Sequence, residues 1–357
     1  MIIYSETLNV YEAAKQRIHK LYDTGRHISV GFSGGKDSTV LLEVTLEVAK
    51  ERGISKVPVL FLDQEAEYTQ TVDYMRYIMN RPEVEPYWIQ CPFKLWNASA
   101  GEWFIPWEEG KVWMREKEEI SFKENVYHVE RFTHMLNATA SYHFPENYIL
   151  LGGVRAEEAP ARRMALLYGK EVLPGMPYGS SHKKGVVIYP LYDWSYRDIW
   201  YYIFENRCHY NKVYNLLAAH KPLRMCRVSS LIHENAVWSI APLQEIDSNL
   251  YAKLYARVKN ISTTKHTLTE IYTGIQEPPN MFSSWSEYLN YLIDNIISEN
   301  YRERFRRKLN NLERAIAAWN EKEKDSMYYA MFTSICTEDI DFKYIGNTYL
   351  AKKGKML

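Results

Sequence analysis

The feature that most constrains this chain is the hexapeptide Ser33-Gly34-Gly35-Lys36-Asp37-Ser38, set between an apolar run and an amphipathic one. Residues 27–32 (HISVGF) read as a short strand, and Thr39–Arg52 reads as a helix stopped at Gly53. Glycines at such a junction let backbone N–H groups approach an anion closely, and the helix N-terminus adds its dipole. Ser33 and Ser38 bring hydroxyl donors and Lys36 brings a charge. The loop is therefore a candidate phosphate cradle. Two familiar cradles are excluded. Gly35-Lys36 is followed by Asp37, where a Walker A loop needs Ser or Thr, and Gly31-Phe32-Ser33-Gly34-Gly35 does not fit G-x-G-x-x-G.

The surrounding rhythm predicts an α/β fold. A helix over 5–24, capped by Ser5 or Thr7, ends at Gly25, and a second strand over 57–62 (VPVLFL) ends at Asp63. A helix over 68–80 stops at Arg81-Pro82, and 84–90 reads as a third strand. Strands alternating with helices imply parallel pairing through right-handed crossovers. Residues 93–145, rich in Trp, Glu and Lys, read as an insertion carrying helices, its mixed charges a solvated face. Strands resume at 148–151, followed by Gly152-Gly153-Val154-Arg155, and at 186–189 after a loop with Pro174, Gly175, Pro177 and Gly179. Ser195 starts a helix, with Asp198 completing an acidic capping box. Helical periodicity then continues through 247–259, 284–298 and 300–320, and the Lys352–Lys355 tail reads as frayed. The expected organisation is a nucleotide-binding domain over 1–240, with its insertion at 93–145, and a helical domain over 241–357.

Composition narrows the partners. Lys+Arg and Asp+Glu both count 44 in 357 residues, so no global basic field draws in nucleic acid or an anionic membrane. The cluster Arg302, Arg304, Arg306, Arg307 and Lys308 is interleaved with Glu303 and reads as a solvated helix face. No run of about 18 apolar residues predicts a membrane span, and the start MIIYSETLNV has no signal-peptide pattern. Cys91, Cys208, Cys226 and Cys336 form no C-x-x-C pair. They read as reduced thiols of a cytoplasmic protein, and neither a structural zinc nor an Fe-S cluster is expected. The 29 tyrosines and 10 tryptophans read as core and interface material.

Three strings carry a resemblance. SGGKDS resembles the PP-loop of the adenine nucleotide alpha hydrolase superfamily. Gly152-Gly153-Val154-Arg155-Ala156-Glu157-Glu158, with Arg162 and Arg163, resembles the G-[IVL]-R-x-[DE]-[EQ]-S-x-x-R element of its phosphoadenosine phosphosulfate (PAPS) reductase branch. Tyr189–Ser195 with Asp198-Ile199-Trp200 resembles that branch's P-L-x-D-W-[ST]-x-x-D-[IV]-W element. The resemblance spans residues 27–240 and is nearest to an IbrA-like subgroup encoded beside a ParB/sulfiredoxin-like (IbrB-like) protein. It implies a doubly wound, five-stranded, mostly parallel Rossmann-like sheet with a helical C-terminal region. The nucleotide, ATP or PAPS, would sit at the C-terminal strand ends, with Mg²⁺ beside it.

Candidate site residues follow from these matches. Ser33, Gly34, Gly35, Lys36, Asp37 and Ser38 would hold phosphates, with Gly153, Arg155, Arg162 and Arg163 facing them. Arg155 is a grip for phosphate or sulfate, or an ion-pair partner of Glu157 or Glu158. Asp37 and Asp63 are the metal candidates. Asp63 also suits a ribose, or a cap for the following helix, and Glu65 and Glu67 stand beside it. The loop of His182, Lys183 and Lys184 is a lid or a plain exposed loop. The reductases' E-C-G-x-H element has no counterpart, since Cys336 sits in Ser334-Ile335-Cys336-Thr337-Glu338. Cys226, between Arg224 and Arg227, is the remaining candidate thiol, catalytic or merely buried. Three functions are consistent with this set. They are ATP cleavage at the α-phosphate with pyrophosphate held by Ser33–Ser38, sulfonyl transfer from PAPS or adenosine phosphosulfate, and nucleotide sensing with the ParB/sulfiredoxin-like partner.

Overall fold

A strand buried on both faces reads as a near-continuous apolar run, and VPVLFL is buried at all six positions. It forms β2 (Val57–Leu62) beside β1 (Ile28–Gly31) and β3 (Val84–Ile89). In the computed structural model, residues 8–97, 102–158, 162–163, 172–174, 176, 178–182, 184–220, 222–232, 240, 243–258, 278, 281–336, 339–342, 344–346 and 348–349 are described. After β3 come the short β4 (Leu95–Asn97) and β5 (Glu102–Phe104), then β6 (Tyr148–Gly152), β7 (Gly179–Ser181) and β8 (Gly185–Ile188). The main sheet has six strands in the order β3-β2-β1-β6-β8-β7. Five run parallel, in register Val30↔Val59, Val30↔Leu151 and Leu150↔Val187, and β7 pairs antiparallel with β8. The chain winds outward from β1 through β2 to β3, then crosses to β6 on the other side. That reversal puts a switch point between the C-terminal ends of β1 and β6, where α/β sheets take ligands.

Three expectations need correction. The sheet gains a sixth strand, because Gly179–Ser181 pairs along the edge of β8 rather than remaining a loop. The insertion is mostly turns: among its described residues, a small β4-β5 ladder and one helix at its end, Phe132–His143, are regular. His182 lies between the paired β7 and β8, with its amide 2.8 Å from the Gly185 carbonyl; Lys183 lies outside the described residues. Gly185 pairs with Tyr148 at the start of β6, so this hairpin lies at the sheet end opposite the switch point and cannot act as its lid.

Helix α1 (Val10–Asp23) is capped by the Asn9 side chain; Ser5 and Thr7 lie outside the described residues. Helix α2 (Lys36–Glu51) begins inside the hexapeptide, and α3 (Thr69–Met79) follows β2. Arg17 on α1 holds Asp193 through two hydrogen bonds of 2.7 and 2.6 Å and also bonds the Pro190 carbonyl. Trp194 Nε1 donates to the Val10 carbonyl at 3.0 Å. The Pro190–Trp194 string thus fastens α1 to the sheet. The helix Tyr196–Glu205 carries the expected Ser195–Asp198 capping box, a feature worth about 1 kcal/mol.

The chain divides into two compact units, Met1–Asn97 with Trp103–Lys259, and Ala98–Glu102 with Asn260–Leu357. The second has its own core, in which Leu289 and Ile293 of the helix Trp285–Ile296, Phe305 and Leu309 of Glu299–Ile316, and Met331 of Glu321–Cys336 are buried together. Among the described residues no helix is long and apolar enough to cross a membrane. The Lys352–Lys355 tail lies outside the described residues.

Candidate functional site

The loop after β1 takes its shape from its glycines and from two side chains 177 and 178 residues downstream. Gly34 adopts φ +71°, and a Cβ there would stand 2.9 Å from Met75 Cε and 3.2 Å from Thr71 Cγ2. Only glycine meets both demands. Asn211 Nδ2 holds the Gly34 carbonyl at 3.1 Å and Thr71 Oγ1 at 2.9 Å. The Lys36 amide donates to the Tyr214 hydroxyl at 3.0 Å. Ser38 Oγ accepts from the Ser33 amide and donates to the Gly35 carbonyl at 2.9 Å, closing the loop on itself. Gly35 is the N-cap of α2 and supplies no capping side chain. The amides of Gly34, Gly35 and Asp37 have no hydrogen-bond partner among the described residues. They are the orphan donors of a helix start, and Lys36 Nζ accompanies them, 2.8 Å from Asp37 Oδ2.

Gly153, at the end of β6, is where the second string meets the first. A Cβ on it would lie 2.9 Å from the Ser38 amide nitrogen and 3.0 Å from the Asp37 carbonyl carbon. Its missing side chain lets β6 press against the start of α2. Arg155 follows, buried at 3% exposure. Its Nε donates to Asp37, and its Nη1 reaches Glu157 Oε2 at 3.0 Å and the Trp194 carbonyl at 3.3 Å. Glu157 in turn accepts from the Tyr196 amide. All three sequence strings therefore join at one guanidinium. In this structure Arg155 is ion-paired with Asp37 and Glu157 and shielded from solvent, and so holds Asp37 and the loop in place. Arg162 and Arg163 are exposed, and Arg162 pairs with Glu158, whose carbonyl accepts from Arg227 at 2.8 Å. Arg162 keeps 46% of its side-chain surface. Its guanidinium is nevertheless pushed down from the usual range, first by local desolvation and then by the charge of Arg227.

Asp63 is not at this loop's service. It is fully buried at the end of β2, and its carboxylate accepts from Trp88 Nε1 at 2.7 Å, Gln90 Nε2 at 2.9 Å, the Glu65 amide and Arg115. Glu65 is equally occupied, taking the amides of Trp107 and Met114 and the Arg257 guanidinium. Glu67 is buried near them, and burial together with the Asp63 charge pushes its carboxyl up to about 8. Asp63 and Glu65 fasten the insertion over β2, and in this structure the Asp63 carboxylate is spent on protein donors. Asp37 is occupied by Lys36 and Arg155. The two metal candidates thus face different cations, Asp37 the Lys36 and Arg155 groups and Asp63 the Arg115 guanidinium. Among the described residues no set of three His, Cys, Asp or Glu gathers to hold a metal.

Cys91 and Cys226 are buried, and Cys208 and Cys336 are half-buried. Cys226 is 0% exposed beside the turn Leu223–Met225, with its Sγ 3.7 Å from the Pro222 carbonyl. Burial pushes Cys336 up to about 12, Cys91 up to about 12 and Cys208 up to about 11. Thiols held protonated in this way are poor nucleophiles. The residues that sequence reasoning missed are Asn211, Tyr214, Thr71 and Met75. Asn211-Lys212-Val213-Tyr214 carries no motif, and only the fold brings it to the loop.

The sequence profile of the phosphoadenosine phosphosulfate reductase domain matches residues 27–217, and that of a domain of unknown function (DUF3440) matches 221–355. The chain is 28% identical over 331 residues to the uncharacterized protein YbdN of Escherichia coli (strain K12), across 85% of this chain and 79% of that one. Among solved structures, the PAPS reductase from Candida auris in its phosphate complex aligns with a TM-score of 0.35 and 14% identity, over 64% of this chain and 97% of that one. Candida glabrata FMN adenylyltransferase with FAD and inorganic pyrophosphate aligns with a TM-score of 0.38 and 14% identity, over 60% of this chain and 63% of that one.

Proposed function

Because this chain belongs to the phosphoadenosine phosphosulfate reductase domain family, and its loop presents open amides at a helix start, we propose that it binds ATP there and cleaves it at the α-phosphate. An acceptor oxygen attacks the α-phosphorus, and the bond from that phosphorus to the α,β-bridging oxygen breaks. Pyrophosphate leaves with the electron pair. The Gly34, Gly35 and Asp37 amides and the Lys36 ammonium stabilise the charge gathering on it, as preorganised donors do when they need no reorientation. Arg155 keeps Asp37 and the start of α2 in place. The reaction as written uses no thiol, in keeping with the raised Cys91, Cys208 and Cys336 and the buried Cys226. The open amides are the observation that carries this reading. The test is incubation of the purified protein with ATP, Mg²⁺ and candidate acceptors, with pyrophosphate and AMP, free or attached to the acceptor, as the readout. Tight ATP binding with no pyrophosphate from any acceptor would replace cleavage by nucleotide sensing.

A second reading, sulfonyl transfer from PAPS or adenosine phosphosulfate, is favoured by one observation. Arg162 and Arg227 crowd together around Glu158, beside the Arg155 string, where a second anionic group of a ligand would find excess positive charge. Calorimetry with ATP, adenosine phosphosulfate and PAPS separates the two readings. PAPS binding no tighter than AMP rules out the second.

A further inference from the structure

Tyr214 is 1% exposed, and its hydroxyl oxygen accepts the Lys36 amide at 3.0 Å. A phenol that accepts in this way still carries its own proton. Among the described residues no hydrogen bond takes that proton: the ring packs at right angles to Trp200, and Lys36 Nζ stands 5.9 Å from its centroid. A buried donor left unmade is costly, so its persistence calls for an acceptor that is not part of the chain. The hydroxyl also lies along the bare face of Gly35, where a Cβ would stand 3.5 Å from it and 3.4 Å from Ser33 Oγ. The phenol hydroxyl thus lies against Gly35, whose own amide is unpaired among the described residues. Burial, and after it the Asp37 charge, push the Tyr214 phenol well above its usual range, so it remains a donor at any physiological pH.

Resting on the reading of this loop as a pyrophosphate cradle, we propose that Tyr214 is a further ligand-binding residue. Its hydroxyl donates to an oxygen of the phosphoryl group in the loop while its oxygen holds the Lys36 amide in line. Asn211, three residues earlier, is by contrast a positioning residue, bonded entirely within the protein through Gly34, Thr71 and Val213.

The experiment measures binding of inorganic pyrophosphate and of ATP to the full chain by calorimetry, for the wild type, Tyr214→Phe, Asn211→Ala and a protein carrying 3-fluorotyrosine at position 214. Fluorination makes the phenol a stronger donor and a weaker acceptor. Tyr214→Phe is expected to lose about ten-fold or more in pyrophosphate affinity, and the fluorinated protein to bind at least as tightly as the wild type. Two results would overturn the proposal: Phe binding pyrophosphate like the wild type, or the fluorinated protein binding more weakly while melting at the same temperature. The second would mean that only the acceptor role counts. Should Tyr214→Phe fail to fold, the fluorinated protein decides alone. A wild type that binds neither pyrophosphate nor ATP would remove the cradle reading itself, a different failure from a cradle that ignores the phenol.

Discussion

Replacing Gly153 by alanine tests how the site is built. The new Cβ would meet the Ser38 nitrogen at 2.9 Å, the Asp37 carbonyl carbon at 3.0 Å and the Ser38 Cα at 3.1 Å. Ordinary contacts of this kind sit near 3.5 Å, so β6 and the start of α2 must part by about 0.5 Å. All three obstructing atoms are backbone, so no side chain can swing aside. Helix α2 cannot shift freely either, since Val40, Leu41, Leu42 and Val44 are fully buried. Overpacking of this kind costs about 1–3 kcal/mol. The displacement also stretches the Arg155–Asp37 bond that sets the loop. Urea unfolding should therefore show a lower midpoint at unchanged slope, and calorimetry should show weaker pyrophosphate binding. Gly31→Ala is the control: its nearest neighbour would be the Leu151 carbonyl at 3.5 Å, an ordinary contact. If Gly153→Ala matches Gly31→Ala in both stability and affinity, the close approach of β6 to α2 is not what shapes the loop.

Further outcomes are expected elsewhere. Glu67 is raised from 4.5 to about 8, so the fold binds more protons than the unfolded chain across that interval. Its contribution is complete below about 4.5 and is lost as pH rises through about 8, with a ceiling of about 5 kcal/mol. Glu67→Gln should flatten the stability–pH curve and raise stability at pH 9 but not at pH 4, as read by thermal melts. Arg17→Ala strands the Asp193 carboxylate, 6% exposed, and the Pro190 carbonyl; a loss of about 3 kcal/mol is expected by denaturation. Cys336, pushed up to about 12, should react with iodoacetamide far more slowly than free cysteine at pH 8, and Cys336→Ala should leave nucleotide turnover unchanged. Rapid labelling of the native protein would contradict the raised thiol.

The parts of this fold that were legible in sequence are those whose environment is uniform. The strand VPVLFL is apolar throughout because both faces are covered, and the Ser195–Asp198 box announces itself by residue type. The strand Gly179–Ser181 was hidden because three small residues on a sheet edge show no apolar alternation. The insertion misled for a different reason. Its Glu-, Lys- and Trp-rich composition suits a helix, yet its amides are spent on buried acceptors: Trp107 and Met114 on Glu65, and Glu118 on Gln90. Tertiary bonds overrode local propensity there. Asp63 was placed correctly at a strand end, but sequence could not show that Trp88, Gln90 and Arg115 would consume it. Tyr214 and Asn211 were out of reach because their role exists only once distant segments have met.

The convergence at Arg155 also bears on the order in which this chain can acquire a working site. The bonds involved span 118 residues to Asp37 and 39 to Trp194, while Arg17 reaches 176 residues to Asp193 and Tyr214 lies 178 from Lys36. Closing such long loops must precede any reward from the contacts they bring, which favours slow, late assembly. An emerging chain could form β1, α2 and β2 and still present a slack loop, with no guanidinium on Asp37 and no phenol on Lys36. Nucleotide capture would then act as a completeness check, available only when the polypeptide from α1 to Tyr214 has closed on itself.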